Sequence, residues 1–189
     1  MEKKKILVVI DVQKDFYHPD GALYVKGGEE LPQKIAGLIN KFDGVIFTMD
    51  WHPKNHCSFI DNGGIWEKHC VAYTEGSSLP NEFIPYISEY FHDNRIYNII
   101  LKGSDYEKEE YGCDPNYIMG SHDEESNDVE FVFCGIHALY CVKETIIKFK
   151  QKFPDVPISI LKECIVPYNN EEFNEFCKLN NINEYKIWE

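Results

Sequence analysis

The sequence predicts an α/β fold in which helices flank a parallel sheet. Short apolar runs rich in β-branched residues recur along the chain without alternating apolar and polar positions. Strands with such continuous runs are covered on both faces, as in a parallel sheet. Amphipathic helical patterns lie between the runs, and strands that alternate with helices favour right-handed crossovers.

The individual elements follow from these patterns. The predicted strands are Ile6–Ile10, Val45–Thr48, Tyr97–Leu101, Val129–Cys134 and Ile158–Val166, the last interrupted by polar residues. The predicted helices, with apolar residues on one face, are Leu31–Phe42, Leu79–Phe91, Tyr140–Phe153 and the shorter Glu171–Leu179. The acidic stretch Ser104–Asp128 is predicted to be a solvated loop insertion. The length of 189 residues suits a single domain, 1–189.

Composition excludes several classes of function. A formal charge of -13 repels phosphate backbones, so we expect no nucleic-acid partner. The longest apolar run, Ile6–Ile10, is far shorter than a membrane span, and Asp11 ends it too early for a signal peptide. The seven cysteines are odd in number and lack framework spacing. We therefore expect reduced thiols in a cytoplasmic protein.

Reactive side chains follow four of the predicted strands. Asp11 comes directly after the first strand, Asp50 and His52 after the second, Lys102 after the third, and Cys141 shortly after the fourth at a helix start. In open parallel sheets, ligands bind outside the carboxyl ends of the strands. Four segments distant in sequence thus deliver reactive groups to one edge of the sheet.

The first group of residues suits nucleophilic catalysis by a thiol. Cys141 could attack as a thiolate, because a helix N-terminus or a nearby cation such as Lys102 lowers a thiol pKa. Asp11 could accept the thiol proton and return it to a leaving amine. The alternative is that Cys141 is a small buried apolar residue, but its placement with Asp11 and Lys102 favours the nucleophile.

The second group suits a metal ion and comprises Asp50, His52, His56 and His69. One carboxylate with neutral imidazoles is typical of zinc, iron or manganese with open coordination positions. A rival interpretation is a structural zinc site that uses Cys57, Cys70 and the histidines. Closed structural sites usually contain close cysteine pairs, and no CxxC pair occurs in the sequence, so we rank this alternative lower.

With these residues identified, the chain resembles the nicotinamidases of the isochorismatase-like cysteine hydrolase superfamily from Lys5 to about Val166. The similar motifs are Asp11-Val-Gln-Lys-Asp-Phe16, Gly21-Ala-Leu with Val25 and Gly27-Gly28, Asp50-Trp-His52-Pro with His56 and Ser58-Phe59, Trp66 with His69-Cys-Val, Thr74 and Gly76, Leu101-Lys102-Gly103, and Gly135 with Cys141-Val142-Lys143 and Thr145. Each motif is modest alone, but their order is specific.

The resemblance implies a doubly wound parallel sheet of about six strands and a catalytic triad of Asp11, Lys102 and Cys141. It implies an oxyanion hole of two backbone amides, at His137 and Cys141, with a cis peptide bond between Ile136 and His137. The activity it implies is hydrolysis of nicotinamide to nicotinic acid and ammonia through a thioester.

The resemblance also implies a cofactor and a pocket. One divalent metal ion, zinc with iron or manganese as alternatives, would be held by Asp50, His52 and His69 and would bind the pyridine nitrogen. Aromatic walls would come from the residues Phe16, Trp66 and Tyr111. The expected partner is a small-molecule amide, and the chain is expected to form a homo-oligomer without membrane attachment.

Two departures from the family pattern bear on the substrate. The stretch His137-Ala138-Leu139-Tyr140 stands where the family usually has small and acidic residues, and Gly112 replaces the usual serine after the pocket tyrosine. The alternatives are a related amidase acting on another small amide, such as an N-carbamoyl compound, an isochorismatase, which would not need Cys141, and a non-catalytic binding protein. Intact triad and metal motifs favour the nicotinamidase.

Overall fold

A computed structural model describes residues 3–87, 96–120 and 128–187, which form six parallel strands flanked by helices. The strands are β1 (Lys4–Ile10), β2 (Gly44–Asp50), β3 (Ile96–Lys102), β4 (Val129–Ile136), β5 (Ile158–Val166) and β6 (Asn183–Glu184). Their spatial order is β3-β2-β1-β4-β5-β6, with every pair parallel. This order is that of a doubly wound sheet, and it confirms the predicted fold class.

The helices occupy the connections between strands. The α-helices are α1 (Lys14–Tyr17), α2 (Leu31–Ile39), α3 (Pro115–Met119), α4 (Lys143–Lys152) and α5 (Glu171–Leu179), and a π-helical turn, Ala138–Val142, precedes α4. Short 3-10 turns lie at Gly28–Glu30, Ile60–Asn62, Glu75–Ser77 and Asn81–Phe83. No helix in the three described ranges is long and apolar enough to cross a bilayer.

The central strands are buried because their side chains are apolar on both faces. All seven residues of β2 are buried, as are Ile6–Ile10 of β1. Phenylalanine side chains fill the space between sheet and helices, and the tilted rings of Phe131 in β4 and Phe149 in α4 lie 5.1 Å apart between centroids. Burying such a side chain contributes about 1.5–3 kcal/mol, so these rings anchor the helices to the sheet.

Two sequence predictions need correction here. The stretch 104–128 is not wholly a solvated loop, because α3 lies within it and buries Ile118 and Met119. The helix forms because Asp114 caps it by accepting a hydrogen bond from the Asn116 amide, and Pro115 occupies its first turn. The pattern was missed because five residues are too few to show a helical period. Residues 121–127 of that stretch lie outside the described residues.

The predicted helix Leu79–Phe91 begins later than expected. A 3-10 turn covers Asn81–Phe83 and a helical turn follows at residues 84–87, while 88–91 lie outside the described residues. The predicted helix Tyr140–Phe153 begins as the π-helical turn and continues as α4. Cys141 therefore lies at a helix start, as the sequence predicted.

Candidate active site

Strand register places the reactive residues at one edge of the sheet. Asp50 at the end of β2 pairs with Lys102 at the end of β3, and Ile10 of β1 pairs with Gly135 of β4. Gly135 has φ of 123°, and a Cβ there would lie 2.0 Å from the carbonyl oxygen of Ile10, so only glycine fits between the two strands. This close approach brings the segment after β4 against the segment after β1.

Lys102 is the centre of a buried cluster of charges. Its Nζ lies 2.8 Å from Asp11 Oδ2, donates to Asp50 Oδ1 at 2.5 Å and lies 3.6 Å from Cys141 Sγ. Burial opposes a charged lysine, but the two carboxylates outweigh it and raise the Lys102 pKa well above its ordinary value. The Lys102 side chain therefore stays protonated, and its ammonium holds the Cys141 thiol and both carboxylates close together.

The environment sets different protonation states for the two partners of Lys102. Burial raises the pKa of Asp11, although the Lys102 ammonium opposes this. For Asp50, the same ammonium outweighs burial and holds the pKa well below its usual range. Asp11 is thus the carboxylate disposed to take up a proton, while Asp50 remains an anion.

Cys141 is buried and lies beside Lys102 and Asp11. Burial raises the pKa of its thiol well above the ordinary value, with Lys102 acting in the opposite direction. One oxygen or sulfur atom from each of Asp11, Asp50 and Cys141 lies within 4.8 Å of the others. The thiol therefore lies close to Asp11, the carboxylate disposed to accept its proton.

Two site residues were not singled out from the sequence. Thr48 donates from Oγ1 to Asp11 Oδ1 at 2.6 Å and orients that carboxylate. The buried Gln13 side chain donates to the carbonyl of Asp50 at 2.8 Å and accepts from the Asp50 amide at 2.7 Å. Gln13 lies two residues from Asp11 in the same motif, but that spacing does not show which backbone groups the Gln13 side chain would contact.

Asp50, His52 and His69 form a group that could hold a metal ion. One ligand atom from each lies within 4.8 Å of the others, and all three side chains are buried. His52 Nδ1 lies 2.8 Å from the carbonyl oxygen of Gly103, and His69 Nδ1 lies 2.7 Å from that of Glu67. A carbonyl accepts only from N–H, so each Nδ1 carries the proton and each Nε2 keeps a lone pair.

The neighbouring His56 has both ring nitrogens engaged elsewhere. Its Nδ1 lies 2.7 Å from Ser58 Oγ, and its Nε2 lies 3.1 Å from the carbonyl oxygen of Lys108. Burial lowers the pKa of this imidazole, which favours the neutral form with the proton on Nε2. His56 therefore supports the ring of His52, 4.2 Å away between centroids, without a lone pair to offer a metal.

The rival cysteine site is not formed. Within residues 3–87, 96–120 and 128–187, neither group of potential ligands with atoms in mutual reach includes Cys57 or Cys70. The Cys70 thiol instead donates to the carbonyl oxygen of Gly76 at 3.9 Å. All seven cysteines are free thiols.

A cavity of about 380 Å³ connects the nucleophile with the possible metal ligands. The predicted walls Phe16, Trp66 and Tyr111 all line it, and Trp66 Nε1 donates to the Tyr111 hydroxyl at 2.9 Å. Leu23 and Val25 of a quoted family motif and Tyr140 of the departing stretch also line it, together with Tyr24 and Glu109, which the sequence did not single out. Aromatic rings and a few polar side chains thus line the cavity, which suits a small flat ligand.

The backbone before the nucleophile has the expected conformation. The Ile136–His137 peptide bond is cis, as the resemblance implied. His137 begins the turn that carries Cys141, and its Nδ1 accepts from the Leu139 amide at 3.2 Å. His137 and Cys141, whose amides the resemblance assigns to the oxyanion hole, therefore belong to the same turn, with His137 as its N-cap.

Comparison with known proteins finds several nicotinamidases that are similar to this chain. The nicotinamidase of Saccharomyces cerevisiae is 29% identical in an alignment 177 residues long, which covers 76% of this chain and 80% of the yeast protein. The crystal structure of the yeast nicotinamidase bound to the inhibitor nicotinaldehyde matches with a TM-score of 0.80 at 25% identity, over 96% of this chain and 99% of that one. The chain is similar to these nicotinamidases and shares their fold.

A second solved structure that is similar to this chain contains zinc. The pyrazinamidase of Pyrococcus horikoshii in complex with zinc matches with a TM-score of 0.74 at 28% identity, over 97% of this chain and 99% of that one. No family model matches the chain. The nicotinamidase relationship therefore rests on individual relatives and on the isochorismatase-like sheet that they share with this chain.

Proposed function

We propose that the chain is a nicotinamidase, an amidohydrolase that converts nicotinamide to nicotinic acid and ammonia. The observation that carries the proposal is that a single cavity is lined both by the proposed nucleophile and by the possible metal ligands. Cys141, whose thiol lies beside Lys102 and Asp11, lines the cavity together with Asp50, His52 and His69. The related nicotinamidases and pyrazinamidase support the same assignment.

In the first half of the proposed reaction, the Cys141 thiol transfers its proton to the Asp11 carboxylate as sulfur attacks the carboxamide carbon. Lys102, 3.6 Å from the sulfur, stabilises the developing thiolate. The backbone amides of His137 and Cys141 donate to the oxyanion of the tetrahedral intermediate. Asp11 then gives its proton to the departing nitrogen, the C–N bond breaks, and ammonia leaves a thioester on Cys141.

In the second half, water attacks the thioester carbon. Asp11, again a carboxylate, accepts a proton from the water, and the C–S bond breaks to release nicotinic acid. The proton returns from Asp11 to the Cys141 sulfur, which restores the starting state. The raised pKa of Asp11 suits this double role, because a general acid–base works best when its pKa approaches the working pH.

Asp50, His52 and His69 would hold one divalent metal, which we propose is zinc. The donor set fits the ion, because two imidazole Nε2 atoms and a carboxylate are available, and backbone carbonyls fix both rings from behind. When bound, the metal would supply an open coordination position for a pyridine nitrogen. The Phe16 and Trp66 rings would then hold the pyridine flat, so that its carboxamide reaches Cys141.

The experiment compares nicotinamide with benzamide, which has the same ring shape without the nitrogen. Ammonia release is measured for metal-free protein and for protein loaded with zinc, iron or manganese. We expect rapid turnover of nicotinamide only with metal, and little turnover of benzamide. Equal turnover of both amides, or full activity without metal, would favour the related amidase over the nicotinamidase.

We also propose that the chain forms a homo-oligomer in the cytoplasm. The edge strand β3 exposes the apolar side chains of Ile99 and Leu101, which supports association, and seven free thiols suit a reducing compartment. Light scattering coupled to size-exclusion chromatography measures the oligomeric state directly. A monomer over the micromolar range would contradict the first part of this proposal.

A further inference from the structure

The segment that carries His69 is held through the next residue, Cys70. The Cys70 carbonyl accepts from the His52 amide at 3.1 Å, so the backbones of the two histidine segments are joined. On its other side, the Cys70 amide donates to Asp15 Oδ2 at 2.7 Å. A backbone N–H that donates to a carboxylate makes a short, charge-assisted bond, as this distance indicates.

Cys70 has a conformation that needs such support. Its φ is 43°, in the left-handed region that residues other than glycine rarely adopt. The bonds to His52 and Asp15 fix the peptide groups on both sides of the Cys70 α-carbon. Because His69 immediately precedes Cys70, the Asp15 carboxylate helps to fix where the His69 backbone lies.

Asp15 also fixes one wall of the cavity. Its Oδ1 accepts from the Ala22 amide at 3.2 Å, and its backbone carbonyl accepts from the Leu23 amide at 3.0 Å. Leu23, Tyr24 and Val25 line the cavity. A single residue thus holds the segment of a possible metal ligand and the segment of a cavity wall.

The neighbouring Gly76 shows how closely this carboxylate is enclosed. A Cβ at Gly76 would lie 2.1 Å from Asp15 Oδ2 and 2.4 Å from its carboxyl carbon. The carboxylate therefore occupies space that any side chain at position 76 would take. Replacing Gly76 by alanine would displace the carboxylate without changing Asp15 itself.

We propose that Asp15 is a positioning residue that fixes the place of His69 relative to the cavity wall formed by Leu23, Tyr24 and Val25. The metal part of this inference rests on the proposed function, which assigns His69 as a metal ligand. Asp15 does not reach the reacting atoms in this scheme. It acts through the Cys70 amide on one side and through the backbone of residues 22 and 23 on the other.

The test measures zinc affinity of metal-free Asp15→Asn by competition with a chromophoric chelator. Loss of a group that orients a metal ligand typically weakens metal binding about 10- to 100-fold, and we expect a loss in this range. At saturating zinc, KM for nicotinamide should rise more than kcat falls, because the cavity wall moves while Cys141 keeps its partners. Gly76→Ala should also weaken zinc binding, and it should also raise KM for nicotinamide more than it lowers kcat.

Asp43→Asn is the matched control. Asp43 Oδ2 also accepts from a backbone amide, that of Lys5 at 2.8 Å, but at the opposite end of the strands. This variant should bind zinc as the wild type does. Thermal unfolding without metal is measured for every variant, so that a general loss of stability is separated from a loss of zinc affinity.

The outcomes distinguish this inference from the proposed function. Zinc affinity of Asp15→Asn and Gly76→Ala equal to that of the wild type would overturn the inference, even if nicotinamide is hydrolysed. A lower melting temperature alone, with zinc affinity and KM unchanged, would also overturn it. If the wild type binds zinc in an Asp15-dependent manner but releases no ammonia from nicotinamide, the proposed function is wrong and the inference stands.

Discussion

Replacing Lys102 with methionine tests the charge cluster at the centre of the site. Methionine keeps much of the side-chain length but removes the ammonium that lies 2.8 Å from Asp11 Oδ2 and 2.5 Å from Asp50 Oδ1. Both carboxylates are at most 5% exposed, so water cannot replace the lost charge. Breaking a buried ion pair from one side costs about 3–5 kcal/mol of unfolding free energy, and we expect a loss of this size in metal-free protein.

The loss of unfolding free energy in the Lys102→Met protein should depend on pH in a defined direction. Without Lys102, the pKa of Asp11 rises further above its value in the unfolded chain, since burial already raises it in the wild type. The folded variant then binds a proton more tightly than the unfolded chain does, so its stability falls as pH rises through the folded pKa. The deficit relative to the wild type should therefore be smaller at about pH 5 than at about pH 8.

The assay is urea unfolding followed by tryptophan fluorescence, with Lys68→Met as the control. Lys68 pairs with Asp61 at 3.2 Å, but both side chains are well exposed, and such surface pairs contribute at most about 1 kcal/mol. A Lys102→Met protein no less stable than the Lys68→Met protein, or one with the same deficit at both pH values, would refute this account of the buried cluster.

The remaining predictions concern single residues of the site. Cys141→Ala should abolish hydrolysis and keep the fold, and peptide mapping after alkylation should show labelling of Cys141 that tracks inactivation. Asp11→Asn should lower kcat by about 10²–10⁴-fold, measured as ammonia release, and its effect should be strongly non-additive with Lys102→Ala. Gly103→Ala should weaken zinc binding in the chelator assay, because φ is 63° and a Cβ there would lie 2.5 Å from His52 Cε1.

The strand pattern predicted the fold well, because continuous apolar runs specify strands buried on both faces. The predicted strands Ile6–Ile10 and Val45–Thr48 lie within β1 and β2, and the positions after them are those that form the cluster. The two-residue strand β6 was not predicted, since Asn183 and Glu184 are exposed and carry no apolar signal. Its existence depends on pairing with β5, which no local pattern in the sequence shows.

The site was predicted less completely, because hydrogen bonds between distant segments leave no signature in spacing. The roles of His52 and His56 illustrate this limit, since both follow β2 within a few residues. Only the structure shows that His56 has both nitrogens occupied, while His52 keeps Nε2 available. The cis bond before His137 was expected from the family resemblance alone, because no property of those residue types predicts it.

The position of Asp11 depends on a backbone turn that strand alternation would not give. Ile10 is paired with Thr48, so a continued strand would set Asp11 beside Met49 and turn its side chain to the face opposite Thr48. Instead, Asp11 adopts φ of 47° and its carboxylate accepts from the Thr48 hydroxyl. Aspartate and asparagine tolerate this left-handed conformation better than most residues. Asp11→Asn should therefore keep the turn and remove only the charge, whereas alanine at this position would disturb both.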